Sequence, residues 1–130
     1  MQPRVLTDQD KTIDENIRII PSRSDGTPLL DTSNVTDMSN MFSSCKNLIN
    51  IPLLDTSSAT SMKYMFISCE NLTTVSNFNT SNVTNMYGLF NSCKNLTVVP
   101  NFNTSNVTDM QYMFGDCNNL ITVPNLDTRL

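Results

Sequence analysis

The chain reads Asp31-Thr32-Ser33-Asn34-Val35-Thr36-Asp37-Met38-Ser39-Asn40-Met41-Phe42-Ser43-Ser44-Cys45. The same framework returns 24 residues later, from Asp55-Thr56-Ser57 through Met62 and Met65-Phe66 to Cys69. It returns again at 79–93 and at 103–117. Self-similarity at a fixed period is the sequence mark of a repeat architecture. The columns are Cys45, Cys69, Cys93, Cys117; Phe42, Phe66, Phe90, Phe114; Met38, Met62, Met86, Met110; and Leu48, Leu72, Leu96, Leu120. Thr32, Thr56, Thr80 and Thr104 form another, as do Asn47, Asn71, Asn95 and Asn119. No gap interrupts any of them.

Working outward, four repeats fill 31–54, 55–78, 79–102 and 103–126, and Asp127-Thr128 begins a fifth. Upstream, Asn16-Ile17-Arg18-Ile19-Ile20-Pro21 echoes Asn47-Leu48-Ile49-Asn50-Ile51-Pro52. We therefore expect a flexible N-terminal arm at 1–14 and a degenerate half-repeat at 15–30. The latter acts as a cap with an inserted loop near Ser22–Pro28, where Asp25-Gly26 signals a turn. Residues 31–130 hold the four repeats and the start of the fifth.

One 24-residue unit cannot bury its own apolar residues; stacked units turn each apolar column into a continuous core. Leu48, Ile51 and Leu54 with β-branched equivalents (Thr73-Thr74-Val75, Thr97-Val98-Val99) predict a short parallel strand. Val35, Met38, Met41/Phe42 and Cys45 are three or four apart, the stripe of a helix. The fold expected is thus an α/β repeat solenoid, leucine-rich-repeat-like, with about four 24-residue coils, each carrying a short strand and a short helical turn. With parallel strands about 4.8 Å apart, the rod is on the order of 20–25 Å long.

Composition bounds the chemistry. Eight Lys+Arg face 12 Asp+Glu, a net charge of −4, over 130 residues. That is no footprint for nucleic acid, which needs clustered cations to displace phosphate counterions. No run approaches the ~18 apolar residues of a membrane span, and the polar start MQPRVLTDQDKTIDENIRII holds no signal-peptide core. The chain has no histidine, which removes the usual acid/base at neutral pH and the Ser-His and Cys-His dyads. Carboxylates such as Asp37 and Asp109 sit on repeated turns without an evident partner. The expectation is a non-enzyme with no cofactor, no metal, no nucleic-acid partner and no membrane insertion.

Most singled-out residues read as structure. Four thiols stacked in line cannot surround one metal tetrahedrally, and parallel rungs present poor geometry for a disulfide. The Cys and Phe columns are expected to form a core ladder: Cys45, Cys69, Cys93, Cys117 with Phe42, Phe66, Phe90, Phe114. Asp31, Asp55, Asn79 and Asn103 are read as turn formers bonding local backbone rather than calcium ligands, since half the column is neutral. Asn-x-Ser/Thr sequons arise automatically from the repeat.

In a stack, fixed columns build the core and variable ones face solvent. All three tyrosines fall in variable columns: Tyr64 and Tyr112 share one, and Tyr87 sits one column earlier. With Lys63, Ile67 and Gln111 they make a candidate binding surface, because Tyr offers large contact area at low entropic cost. A second candidate is the outward strand face, Asn50, Thr74, Val98 and Thr122.

The pattern Cys-x-x-Leu-x-x-(Ile/Val), followed by Val-Thr-x-Met-x-x-Met-Phe-x-x-Cys, resembles the BspA-type leucine-rich repeats of bacterial surface proteins. It is most similar to their surface protein 26-residue repeat branch, with its recurring Asp-Thr-Ser-Asn-Val-Thr-Asp-Met, matched at Asp31–Met38 and closely at Asn79–Met86 and Asn103–Met110. The resemblance covers roughly 15–130. Such repeats occur in bacterial surface lipoproteins and adhesins and in phage tail or fibre proteins. It implies a leucine-rich-repeat-like solenoid and an attachment role, with a cell-surface protein or glycan as partner. The location expected is extracellular, on a cell surface or virion, with no signal peptide or lipobox cysteine in this chain. The other reading is a structural piece of a surface or tail-fibre assembly, self-associating through solenoid ends that expose strand edges.

Overall fold

The structure is a computed structural model that describes residues 4–5, 30–49, 54–122 and 126. Two short strands, β1 (Arg4–Val5) and β2 (Leu30–Asp31), pair in parallel, Arg4 with Leu30 and Val5 with Asp31. Apart from these, the arm expected at 1–14 and the cap at 15–30 lie outside the described residues.

From residue 31 onward the chain bonds to itself at the repeat spacing. Single-residue parallel bridges join Asp37 to Ser61, Ser61 to Asn85, and Asn85 to Asp109. Beside them runs a backbone ladder in which every second N–H reaches the next coil. Met38 N donates to Ser61 O (2.9 Å), Asn40 N to Lys63 O (3.0 Å), Phe42 N to Met65 O (2.9 Å) and Ser44 N to Ile67 O (2.8 Å). The same four donors recur at Met62, Tyr64, Phe66, Ser68 and at Met86, Gly88, Phe90, Ser92. On the opposite edge the direction reverses: Thr73 N donates to Ile49 O (3.1 Å), Thr97 N to Thr73 O (3.1 Å) and Ile121 N to Thr97 O (2.8 Å). This edge pairs in parallel, as the β-branched residues predict, but as a lone bridge, Thr74 with Val98, not as extended strands.

The short helical turn expected through Met-Phe-x-x-Cys is absent; no helix occurs among the described residues. Consecutive turns replace it: Met41 N returns to Met38 O (3.2 Å), Cys45 N to Phe42 O (3.1 Å) and Leu48 N to Cys45 O (3.1 Å). The third residue of the first two turns has positive φ, 61° at Asn40 and 58° at Ser44, as in a type II turn. Positive φ leaves the right-handed helix and frees alternate N–H groups for the neighbouring coil. A turn that closes every three or four residues places apolar side chains on one face just as a helix does. Spacing alone therefore does not separate the two.

The core follows the columns. Val35, Met38, Met41, Phe42, Cys45 and Leu48 are fully buried, and so are their equivalents in the second and third coils. The phenylalanine column is a stack: centroids are 5.3 Å apart for Phe42–Phe66, 5.6 Å for Phe66–Phe90 and 6.0 Å for Phe90–Phe114. Phe78 and Phe102, 6.0 Å apart, form a second stack leaning on the first. The cysteine rungs pack within the same core, and three of the thiols bond backbone: Sγ of Cys69, Cys93 and Cys117 donates to the carbonyl of Phe42, Phe66 and Phe90 at 3.0, 3.0 and 3.1 Å. Buried Thr32, Thr56 and Thr80 donate their hydroxyls to Asp55 O, Asn79 O and Asn103 O at 2.7–2.8 Å. Val would keep the shape but leave those carbonyls without their donor, at about 1 kcal/mol each, which favours Thr in this column.

Candidate functional site

Each coil begins its ladder stretch with a side-chain-capped turn. Asp37 Oδ1 accepts Ser39 N (2.9 Å), Asn85 Oδ1 accepts Tyr87 N (2.9 Å) and Asp109 Oδ1 accepts Gln111 N (3.1 Å). In the second coil Ser61 Oγ takes the same place against Lys63 N at 3.4 Å. A short polar side chain can bond the backbone two residues on and hold such a turn. The capped residue and the one after it, Ser39-Asn40, Lys63-Tyr64 and Gln111-Tyr112, are thereby presented toward the outside of neighbouring coils, as is Tyr87, while Gly88 is buried. The Asp55, Asn79 and Asn103 column caps a second set of turns, each accepting both N–H and O–H of the serine two residues later.

The presented residues converge. The Tyr64 and Tyr87 rings meet edge to face at 5.3 Å and 86°, and Tyr87 meets Tyr112 at 5.6 Å and 72°. The Lys63 ammonium lies 5.5 Å from the centroid of Tyr64 and 5.4 Å from that of Tyr87. Tyr112 is 63% exposed, and Gln111 beside it is exposed. Desolvation, followed by hydrogen bonding to Tyr64, pushes the Tyr87 phenol above its ordinary value. Ile67 is linked to this cluster through its N–H, which donates to Tyr64 O at 3.2 Å, and it is half-buried.

Tyr64 and Tyr112 have φ of 57° and 58°, in the column whose other members are Asn40 and Gly88. Asn and Gly enter that region readily, whereas a bulky aromatic is an outlier there. Gly88 makes room for the cluster: a Cβ on it would stand 2.5 Å from Cδ1 and Cε1 of Tyr64. The sequence reading missed this glycine, although its column shared with Tyr64 and Tyr112 was a visible signal. Asn91 was missed as well; its Nδ2 donates to Tyr112 O at 3.4 Å.

The second candidate surface is distributed differently. Thr74 and Val98 are bridged neighbours and Val98 is 47% exposed; Thr122 is exposed on the last coil. Asn50 lies outside the described residues. A shallow groove of about 310 Å³ opens near Leu54, Asp55, Thr56 and Phe78, but its one carboxylate, Asp55, is committed to the turn at Ser57.

Chemically the thiols are quiescent. Burial, reinforced by the charge of Cys45, pushes Cys69 up to about 12, and burial pushes Cys93 and Cys117 up as well. Among the described residues no group of three or more His, Cys, Asp or Glu is placed to hold a metal ion, and no helix is long and apolar enough to cross a membrane.

A 24-residue unit bonded coil to coil, with an aromatic cluster built across its outside, defines a repeat protein that presents a composite surface. Residues 22–125 match the family described as "Mycoplasma protein of unknown function, DUF285", and the chain belongs to that family. The link to BspA-like surface repeat proteins holds at this coarse family level. No curated protein and no solved structure matches the chain.

Proposed function

We propose that the chain is a leucine-rich-repeat-like solenoid serving as a non-catalytic recognition or attachment module, displayed on a bacterial cell surface or a phage particle. The observation that carries this reading is the cluster of Tyr64, Tyr87 and Tyr112 with Lys63. Two of its rings occupy positive-φ positions where Asn or Gly is the comfortable residue. Backbone strain of this kind costs on the order of 1–3 kcal/mol and concentrates where a surface is used. Tyr64 is half-buried and Tyr112 exposed, so neither ring belongs to the buried core, and the return is sought in a partner.

The test is binding of the labelled chain to a panel of bacterial cells and their purified surface glycans, beside the variant Tyr64→Asn/Tyr87→Ala/Tyr112→Asn. Selective binding lost in the variant supports the module. Binding that survives in the variant removes the tyrosine surface from the account.

A second reading, a structural component that associates through its ends, is favoured by one specific feature. The N–H groups of Met110, Tyr112, Phe114 and Asp116 continue the inter-coil ladder, and among the described residues no backbone carbonyl accepts them. Edge donors of this kind are matched by the carbonyl row of another coil of the same sequence, not by a second copy of the same donor row. Head-to-tail stacking is therefore the geometry these donors accept, whether the next coil comes from a second copy or from further repeats of the same pattern. Light scattering that finds only monomer at high concentration would count against it.

A further inference from the structure

We infer that the tyrosine surface takes an acidic sugar, a pyranose ring bearing a carboxylate, with Lys63 as the group that selects the acid. The inference rests on the recognition reading above and names the ligand class of that same site.

The rings come first. Tyr64, Tyr87 and Tyr112 brace one another edge to face, so little side-chain freedom remains to be lost on binding. Tyr112 is left 63% exposed. A ridge of phenol faces and hydroxyls suits a ligand with apolar C–H faces and a hydroxyl rim, which is what a pyranose offers. The surroundings are polar. Gln111 is exposed, and its side-chain amide has no partner among the described residues. The large aliphatic side chains that are exposed, Ile49, Val98 and Ile121, belong to other columns. Ile67, the aliphatic residue linked to Tyr64, is half-buried, so phenol, amide and ammonium groups dominate the exposed part of the surface.

The charge comes second. Lys63 is exposed and its ammonium is held over two rings at 5.5 and 5.4 Å. Among the described residues no carboxylate pairs with it. Asp109, the acid that acts on Tyr87, has Oδ1 committed to Gln111 N at 3.1 Å. A fixed cation without a counter-ion on an aromatic surface favours a ligand whose own carboxylate completes the pair.

The experiment compares titrations of a galacturonic acid oligomer, the neutral galactose oligomer of equal length and a poly-glutamate peptide. The proteins are the unaltered chain, Lys63→Gln, Lys63→Arg and Tyr112→Asn, each first shown to be folded by a cooperative thermal transition. The uronate is expected to bind about three- to fivefold more tightly than the neutral sugar, the scale of one exposed charge pair. Lys63→Gln should bring uronate binding down to the level of the neutral sugar, Lys63→Arg should keep the preference, and Tyr112→Asn should weaken both sugars. Equal binding of the two sugars, lost in Tyr112→Asn, would overturn the acid assignment and leave the recognition reading standing. Poly-glutamate binding as tight as the uronate would overturn the sugar class in favour of an acidic protein. Failure of every ligand would overturn the inference, and cell binding by the unaltered chain would then show whether the recognition reading survives.

Discussion

Gly88 lies against the ring of Tyr64, so close that a Cβ at position 88 would stand 2.5 Å from both Cδ1 and Cε1. The Tyr64 ring reaches from its own coil onto the backbone of the next, and Tyr87, the residue before Gly88, closes against it. The glycine also carries a φ of 61°, so it serves the turn and the ring together.

Gly88→Ala is expected to cost about 1–2 kcal/mol, part from the left-handed backbone and part from the displaced ring. In a Tyr64→Asn background the second part vanishes. Urea unfolding of the four proteins of this cycle should give a coupling of at least about 0.5 kcal/mol. Strict additivity would show that the ring does not rest on the glycine.

The two threonine columns should respond differently to loss of the hydroxyl. Thr80 is buried and donates to Asn103 O at 2.7 Å, whereas Thr84 is exposed and its bond to Thr60 O is 3.2 Å. Thr80→Val keeps the shape but takes the buried donor away from Asn103 O, at about 1–2 kcal/mol, while Thr84→Val should stay within about 0.5 kcal/mol. Equal unfolding midpoints for the two variants would contradict the hydroxyl ladder.

Phe66 touches three other rings, Phe42, Phe78 and Phe90, while Phe114 touches Phe90 and is only half-buried. Phe66→Ala should therefore cost about 3–5 kcal/mol, the usual range for a deleted core ring, and Phe114→Ala less than half of that. Chemical denaturation of the two variants side by side checks the order.

The Cys69 thiol is raised by burial from 9.0 to about 12. Its neutral form is the one the fold accommodates. That contribution is fully present below the unfolded value and is lost as pH climbs from there through the folded value. Thermal midpoints should therefore fall more between about pH 8 and about pH 10.5 in the unaltered chain than in Cys69→Ala. Parallel curves for the two would remove the thiol from the alkaline response.

Much of the architecture was legible because a repeat prints its register into the sequence. The 24-residue step predicted which residues would be neighbours, and Asp37, Ser61, Asn85 and Asp109 are bridged in that order. The Cys, Met, Phe and Leu columns announced the core because only stacking can bury a stripe that one coil leaves exposed. The Phe78–Phe102 stack was less visible, since Leu54 and Leu126 share its column and blur the aromatic signal. The candidate surface was legible as a list of variable positions, but not as a contact, because Tyr87 stands one column away from Tyr64 and Tyr112.

By itself, then, the sequence determined the period, the order of the coils and the inward columns, because side-chain hydrophobicity at a fixed spacing leaves one way to bury them. Tertiary structure alone decided that the Met-Phe-x-x-Cys stretch winds as turns instead of a helix. Both conformations return a side chain to the same face every three or four residues, and what separates them is the neighbouring coil, whose carbonyls at Ser61, Lys63, Met65 and Ile67 draw alternate N–H groups outward. Tertiary structure also decided that Tyr64, Tyr87 and Tyr112 become one surface. Their meeting depends on the positive φ of two of them and on the absent side chain of Gly88, which spacing does not encode.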